Sequence, residues 1–97
     1  MAYRFHAEAE AEFEEAIAYY ESREPGLGMA FADEVQATID SIRSFPDAWT
    51  PIAEDVRRCL TNRFPYGIIY AIESDTIFIL AVMHLHRSPA YWMHRSP

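Results

Sequence analysis

Two apolar runs, Tyr66–Ile72 and Ile77–Leu85, are separated by Glu73-Ser74-Asp75-Thr76. Runs rich in Ile, Val, Phe and Tyr on either side of four polar residues predict a β-hairpin with a four-residue loop. The second run has no polar face, since Ile77, Ile79, Ala81 and Met83 alternate with Phe78, Leu80 and Val82. A strand apolar on both sides is expected inside a sheet with both faces covered. It ends abruptly in His84-Leu85-His86-Arg87-Ser88-Pro89. Chemistry is expected where a buried strand opens into two histidines and an arginine.

Upstream the period changes. Tyr3-Arg4-Phe5-His6 alternates aromatic and polar residues, as a short strand does. Ala7 to Ser22 is rich in Ala and Glu, and Phe13, Ala16, Ile17 and Tyr20 recur at helical spacing, with Ala9 one turn earlier. The opposite face carries Glu8, Glu12, Glu15 and Tyr19 and is expected to be solvated. Pro25-Gly26 breaks this helix. A second helix, about Gly28 to Ser44, follows from the stripe Leu27, Phe31, Val35, Ile39 and Ile42. Residues 46–55 hold two prolines and no period, so they are expected to form an ordered loop pinned by Trp49 and Ile52. Val56 to Asn62 is a further strand, with Arg57 and Arg58 on opposite faces. Ala90-Tyr91-Trp92-Met93 is expected as a terminal turn anchored by Trp92.

The order β-α-α-β-β-β, with helices and strands grouped, predicts an α+β fold in one domain, residues 1–97. A helical hairpin should cover one face of a mostly antiparallel sheet. Phe13, Ile17, Phe31, Val35, Ile69, Ile79 and Ala81 are expected in one core.

Charge divides the chain. Residues 1–55 carry −10 and residues 56–97 carry +3, against a total of −7. All eight cations are arginine, whose planar fork of donors suits phosphate and carboxylate. The single cysteine, Cys59, excludes an internal disulfide and fits a reducing compartment. Glutamates occupy the place of a signal-peptide core, and the longest apolar run, Ile77–Met83, is too short for a membrane span.

In this order, Arg63-Phe64-Pro65-Tyr66-Gly67-Ile68-Ile69-Tyr70, Ala81-Val82-Met83-His84 and Arg87-Ser88-Pro89-Ala90-Tyr91-Trp92 resemble the RelE/ParE superfamily of type II toxin–antitoxin toxins. Tyr3–Ala7, the Ala/Glu-rich helix ending in Tyr19-Tyr20, Phe45-Pro46 and Val56-Arg57-Arg58 extend the resemblance over nearly the whole chain. The nearest members are ParE-type or plasmid-stabilisation proteins. The resemblance implies a cytoplasmic, growth-inhibiting toxin neutralised by a small antitoxin protein, with no cofactor and no membrane partner. Its target would be DNA gyrase, as in the ParE branch, or the ribosome and its mRNA, as in the RelE branch. A dimer and a toxin–antitoxin hetero-oligomer are both open. RelE-type cleavage draws on clustered lysines and arginines, and this chain has no lysine.

Metal-independent RNA cleavage needs a base for the 2′-hydroxyl, cations for the phosphate and an acid for the leaving oxygen. Arg57 or Arg58 with Arg87 would supply the cations, and Tyr91 or His86 the proton transfer. Arg87 and Tyr91 are the positions that match the arginine and tyrosine of the RelE branch. Arg63, Tyr66, Trp92 and Arg95 are the candidates for partner contact. The plainer alternative is that the arginines pair with acids of residues 46–55 or meet the antitoxin. His84 and His86, two apart on a strand, have a spacing that could hold zinc, but no cysteine or carboxylate accompanies them, so no metal is expected.

Overall fold

The computed structural model describes residues 1–95. Strand β1 (Ala2–Phe5) leads into helices α1 (Ala7–Arg23) and α2 (Leu27–Ser44). Strands β2 (Thr50–Ala53), β3 (Val56–Leu60), β4 (Tyr66–Glu73) and β5 (Thr76–His84) follow. They form one five-stranded sheet in the order β1-β5-β4-β3-β2, in which only β1 and β5 run parallel. The α+β arrangement, with a helical hairpin on one face of a mostly antiparallel sheet, is the one the sequence implies. Among the described residues no helix is long and apolar enough to cross a membrane.

Local chemistry sets the helix ends. The His6 side chain accepts a hydrogen bond from the Glu8 N–H, filling one of the free donors at the start of α1. Glu8 and Glu10 sit in the first turn, where the helix dipole favours negative charge. Gly26 takes φ +89° between the helices, a conformation that costs glycine little. The Glu21 carboxylate accepts from the N–H groups of Gly26 and Gly28 and so caps α2 from the preceding helix. A Cβ at Gly28 would stand 2.7 Å from the Ile17 carbonyl oxygen, so the two helices approach closely only because that side chain is absent.

Three expectations change. Residues 50–53 are strand β2 rather than loop, paired with β3 as Thr50↔Arg58, Pro51↔Arg57 and Ala53↔Val56. A proline is tolerated there because β2 is an edge. Trp49 packs against the core, whereas Ile52 stays exposed. The hairpin between β4 and β5 is tighter than expected, because Glu73 pairs with Thr76 and only Ser74 and Asp75 form the turn. Ser74 adopts φ +55° to close it.

The third change concerns the core, which has two parts. Phe31, Val35, Ile39, Ile68, Tyr70, Ile77, Ile79 and Val82 lie between helices and sheet, with Phe13 and Ile17 packed beside them. Ile69 and Ala81, expected in that layer, lie on the other face with Phe78, Leu80, Met83 and Trp92. Ile69 lies there by the plain alternation of β4, whose Ile68 and Tyr70 face the helices, while Ala81 is moved there by a β-bulge in β5. Tyr70 pairs with Ile79 and Ile69 with Ala81, so Leu80 has no counterpart and the alternation inverts. Ile77, Ile79 and Val82 therefore face the helices, while Phe78, Leu80, Ala81 and Met83 face away. The segment after β5 folds back over this second face, with Trp92 only 4% exposed.

Candidate functional site

Strand β1 ends opposite Ile79, and the His6 N–H bonds to the Ile79 carbonyl. Beyond that point the outer edge of β5 has no strand partner among the described residues, although its backbone groups still need one. Two side chains supply it. The Glu12 carboxylate accepts from the Val82 N–H at 3.1 Å, and Arg95 Nη1 donates to the Leu80 carbonyl at 3.0 Å. The edge next to the bulge is thus closed by one residue of α1 and one from the chain end.

These two residues also bond to each other. Arg95 Nη1 and Nη2 donate to the two Glu12 oxygens at 2.9 and 3.0 Å, and Arg95 Nε donates to Glu8 Oε2 at 2.9 Å. The Arg95 side chain is 7% exposed and that of Glu12 is 14%. Burial alone would lower the Arg95 pKa, but hydrogen bonding to Glu12 and the attraction of its charge raise it instead. His94 Nε2 lies 3.0 Å from Glu8 Oε2, and hydrogen bonds from His94 and Arg95 hold the Glu8 carboxyl below its ordinary value.

Arg87 completes the group. Its Nη1 stands 3.7 Å from Glu12 Oε2, and its guanidinium lies 3.8 Å from the centre of the Tyr91 ring. Arg95 lies 4.9 Å from the same ring, so one aromatic ring contacts two cations. The Tyr91 hydroxyl is buried near the Glu12 carboxylate and makes no hydrogen bond of ordinary geometry among the described residues. Burial and the adjacent Glu12 charge push its pKa well up, which makes it a poor general base near neutrality.

Arg87, Tyr91 and Arg95 are therefore brought together, but around Glu8 and Glu12. The acidic face of α1, expected to be solvated, supplies the carboxylates that neutralise them. His86 is exposed just before this cluster, its ring 4.9 Å from that of His84 and its N–H donated to His84 Nδ1. Burial and then the neighbouring His86 lower the His84 pKa. A hollow of about 190 Å³ lies elsewhere, at Arg57, Tyr70 and Asp47; one of about 290 Å³ opens between α1 and the end of β5, lined by Glu15, Tyr19, Tyr66, His84 and Arg87.

The remaining candidates are dispersed. Arg57 and Arg58 lie on β3, two strands from β5, on opposite faces. Arg57 Nη1 donates to the Trp49 carbonyl at 2.7 Å. Arg58 borders a hollow with Ile69, Met83 and Trp92, and its Nε is buried without a partner among the described residues. Arg63 is exposed and stacks on Phe64, while Glu34 accepts from the N–H groups of Arg63 and Phe64 and fixes that turn. Tyr66 is 9% exposed in the Tyr20–Phe31–Phe64 aromatic group, and its pKa is pushed up to about 12 by burial. Trp92 is core. Sequence reasoning missed Glu8, Glu12 and His94 as members of the cluster; the only signal was two glutamates four apart on the polar face of α1.

The chain matches, over residues 3–89, the family model described as the ParE toxin of the type II toxin–antitoxin system, parDE. Its structure is similar to a solved one described as the chromosomal ParDE TA system from P. aeruginosa. The TM-score is 0.80 at 16% identity, with 89% of this chain and 97% of that chain covered. None of the individually curated proteins matches the chain.

Proposed function

Because the chain belongs to the ParE toxin family of type II toxin–antitoxin systems, we propose that it arrests growth in the cytoplasm by binding a protein target such as DNA gyrase. We further propose that a small antitoxin encoded beside it neutralises it. The observation that carries this reading over RNA cleavage is the state of the strand-exit arginines. Arg95 is committed to Glu12, Glu8 and the Leu80 carbonyl, and Arg87 stands against Glu12 and Tyr91. A phosphate would have to compete with carboxylates already in place. The best acid–base candidate, Tyr91, is buried with a raised pKa, and Arg57 and Arg58 diverge from it on another strand. A surface of net −7 also repels a polyanion.

In this reading the working surface is the α1–β5 exit, where Arg87, His86 and Glu15 are exposed. Arg87 contacts the target, Tyr91 orients it by stacking, and Arg95 holds the segment in place. Arg63 is proposed as an antitoxin contact, since its side chain is free of carboxylates among the described residues. The test is inducible expression in a bacterial host with and without the adjacent small reading frame. Growth arrest that the second gene relieves supports the proposal. Unimpaired growth at high expression of the chain alone overturns it.

A further inference from the structure

A hollow of about 320 Å³ lies between β3 and the segment that returns after β5. Most of its lining is apolar, with Ile69, Met83, Pro89 and Met93 among it. Arg58 and Trp92 also line it, and both carry donors that nothing accepts. Among the described residues, Arg58 Nε and Trp92 Nε1 are buried and without a hydrogen-bond partner. Trp92 is only 4% exposed, so its indole N–H cannot turn to water without unpacking the ring. Two orphaned donors in one hollow call for an acceptor.

Arg58 is held in place by the strands around it. It pairs with Ile69 across β3 and β4 and so shares the face turned away from the helices. A Cβ at Gly67 would stand 3.3 Å from Arg58 Cγ and Cδ, so the arginine stem occupies the space of a missing side chain. The guanidinium enters no ion pair among the described residues, and no acid lines the hollow. Arg87 and Arg95, by contrast, are met by Glu8 and Glu12.

From the unpaired guanidinium and the orphaned indole in an apolar hollow we infer that this is a binding site for a small organic acid, one carboxylate on an apolar body. The carboxylate accepts from the Arg58 fork and from the Trp92 indole. The body lies against Ile69, Met83 and Met93. One negative charge matches one cation. A doubly charged phosphate would bring unbalanced charge into an apolar hollow of a chain that carries −7. The space holds on the order of ten non-hydrogen atoms at about 30 Å³ each, the size of a phenylalkanoate. The inference stands apart from the proposed target, since Arg87 does not line this hollow.

The test titrates the full chain with 3-phenylpropionate and follows amide shifts and the Trp92 indole N–H, assigned with Trp49→Phe. Expected are saturable shifts at Arg58, Ile69, Met83 and Met93, with movement of the Trp92 indole resonance. Neutral 3-phenylpropanamide and bodiless acetate should each bind at least about tenfold more weakly. Arg58→Gln should weaken the acid about tenfold. Arg58→Lys, which keeps stem and charge but loses the fork, should weaken it several-fold. Arg23→Gln, which removes an equal charge from the exposed end of α1, should stay within about twofold. If Arg58→Gln fails to fold, the ligand series and Arg58→Lys decide. An absence of saturable shifts, an amide that binds as tightly as the acid, equal weakening by Arg23→Gln, or shifts away from the hollow would overturn the inference. So would tighter binding at the same residues by 3-phenylpropyl phosphate or by a short single-stranded RNA.

Discussion

Arg95 and Glu12, 83 residues apart, form a two-pronged ion pair at 2.9 and 3.0 Å, and each also closes one open backbone group on β5. The pair lies beside the bulge at Leu80, where β1 has ended and the edge would otherwise be open. It joins the first helix, the buried strand and the chain end in one network.

Glu12→Ala should therefore lower stability by about 3 kcal/mol, since it leaves Arg95 half-paired in a dry site and the Val82 N–H without an acceptor. On the solvated face that the sequence implies for Glu12, the change would be under about 0.5 kcal/mol. Urea denaturation of Glu12→Ala beside Glu14→Ala, which faces solvent, separates the two. A matching pair of curves would mean the network contributes nothing.

Phe31→Ala should cost about 3–5 kcal/mol, because the ring is fully buried and meets Phe13, Tyr20, Phe64 and Tyr66. Met29→Ala, two residues earlier and 64% exposed, should change stability by less than about 0.5 kcal/mol. Equal effects in chemical denaturation would mean the α2 stripe is turned the other way.

The helices were legible because Phe31, Val35, Ile39 and Ile42 repeat at the helical period with nothing to confuse them. The faces of β5 were not. With Ile77 to Met83 apolar at every position, no polar residue marks where alternation inverts, so a bulge at Leu80 leaves no trace in the pattern. Strand β2 was hidden by Pro51 and by its length of four residues. The family motif led to Arg87 and Tyr91, but their carboxylate partners could not be read. Nothing local in Glu8 or Glu12 points to residues more than 80 positions away.

Acidification should destabilise the fold through His84. Its folded pKa lies below the ordinary 6.5 because burial and His86 disfavour the charged ring. Below 6.5 the unfolded chain then binds more protons than the folded one, so this contribution is complete above that value and is lost as pH falls through the folded value. Denaturation midpoints of the wild type should fall between about pH 7.5 and pH 5.5 more than those of His84→Gln. Parallel losses would place the pH sensitivity elsewhere.

Arg87→Ala and Arg95→Ala should differ in kind. The Arg87 side chain is 53% exposed and its removal should leave the unfolding midpoint nearly unchanged while relieving growth arrest. Arg95 is 7% exposed, so its removal should lower the midpoint and relieve arrest through loss of folded protein. Full toxicity of a folded Arg87→Ala protein would remove Arg87 from the working surface.

The proposal that the chain acts on a protein target and does not cut RNA is tested most directly with purified protein in two assays run side by side. One is DNA gyrase supercoiling; the other is primer extension on a message under translation. Loss of supercoiling with the message intact is the predicted result. Cleavage within codons that disappears in Tyr91→Phe and Arg87→Ala, with supercoiling unaffected, would contradict it.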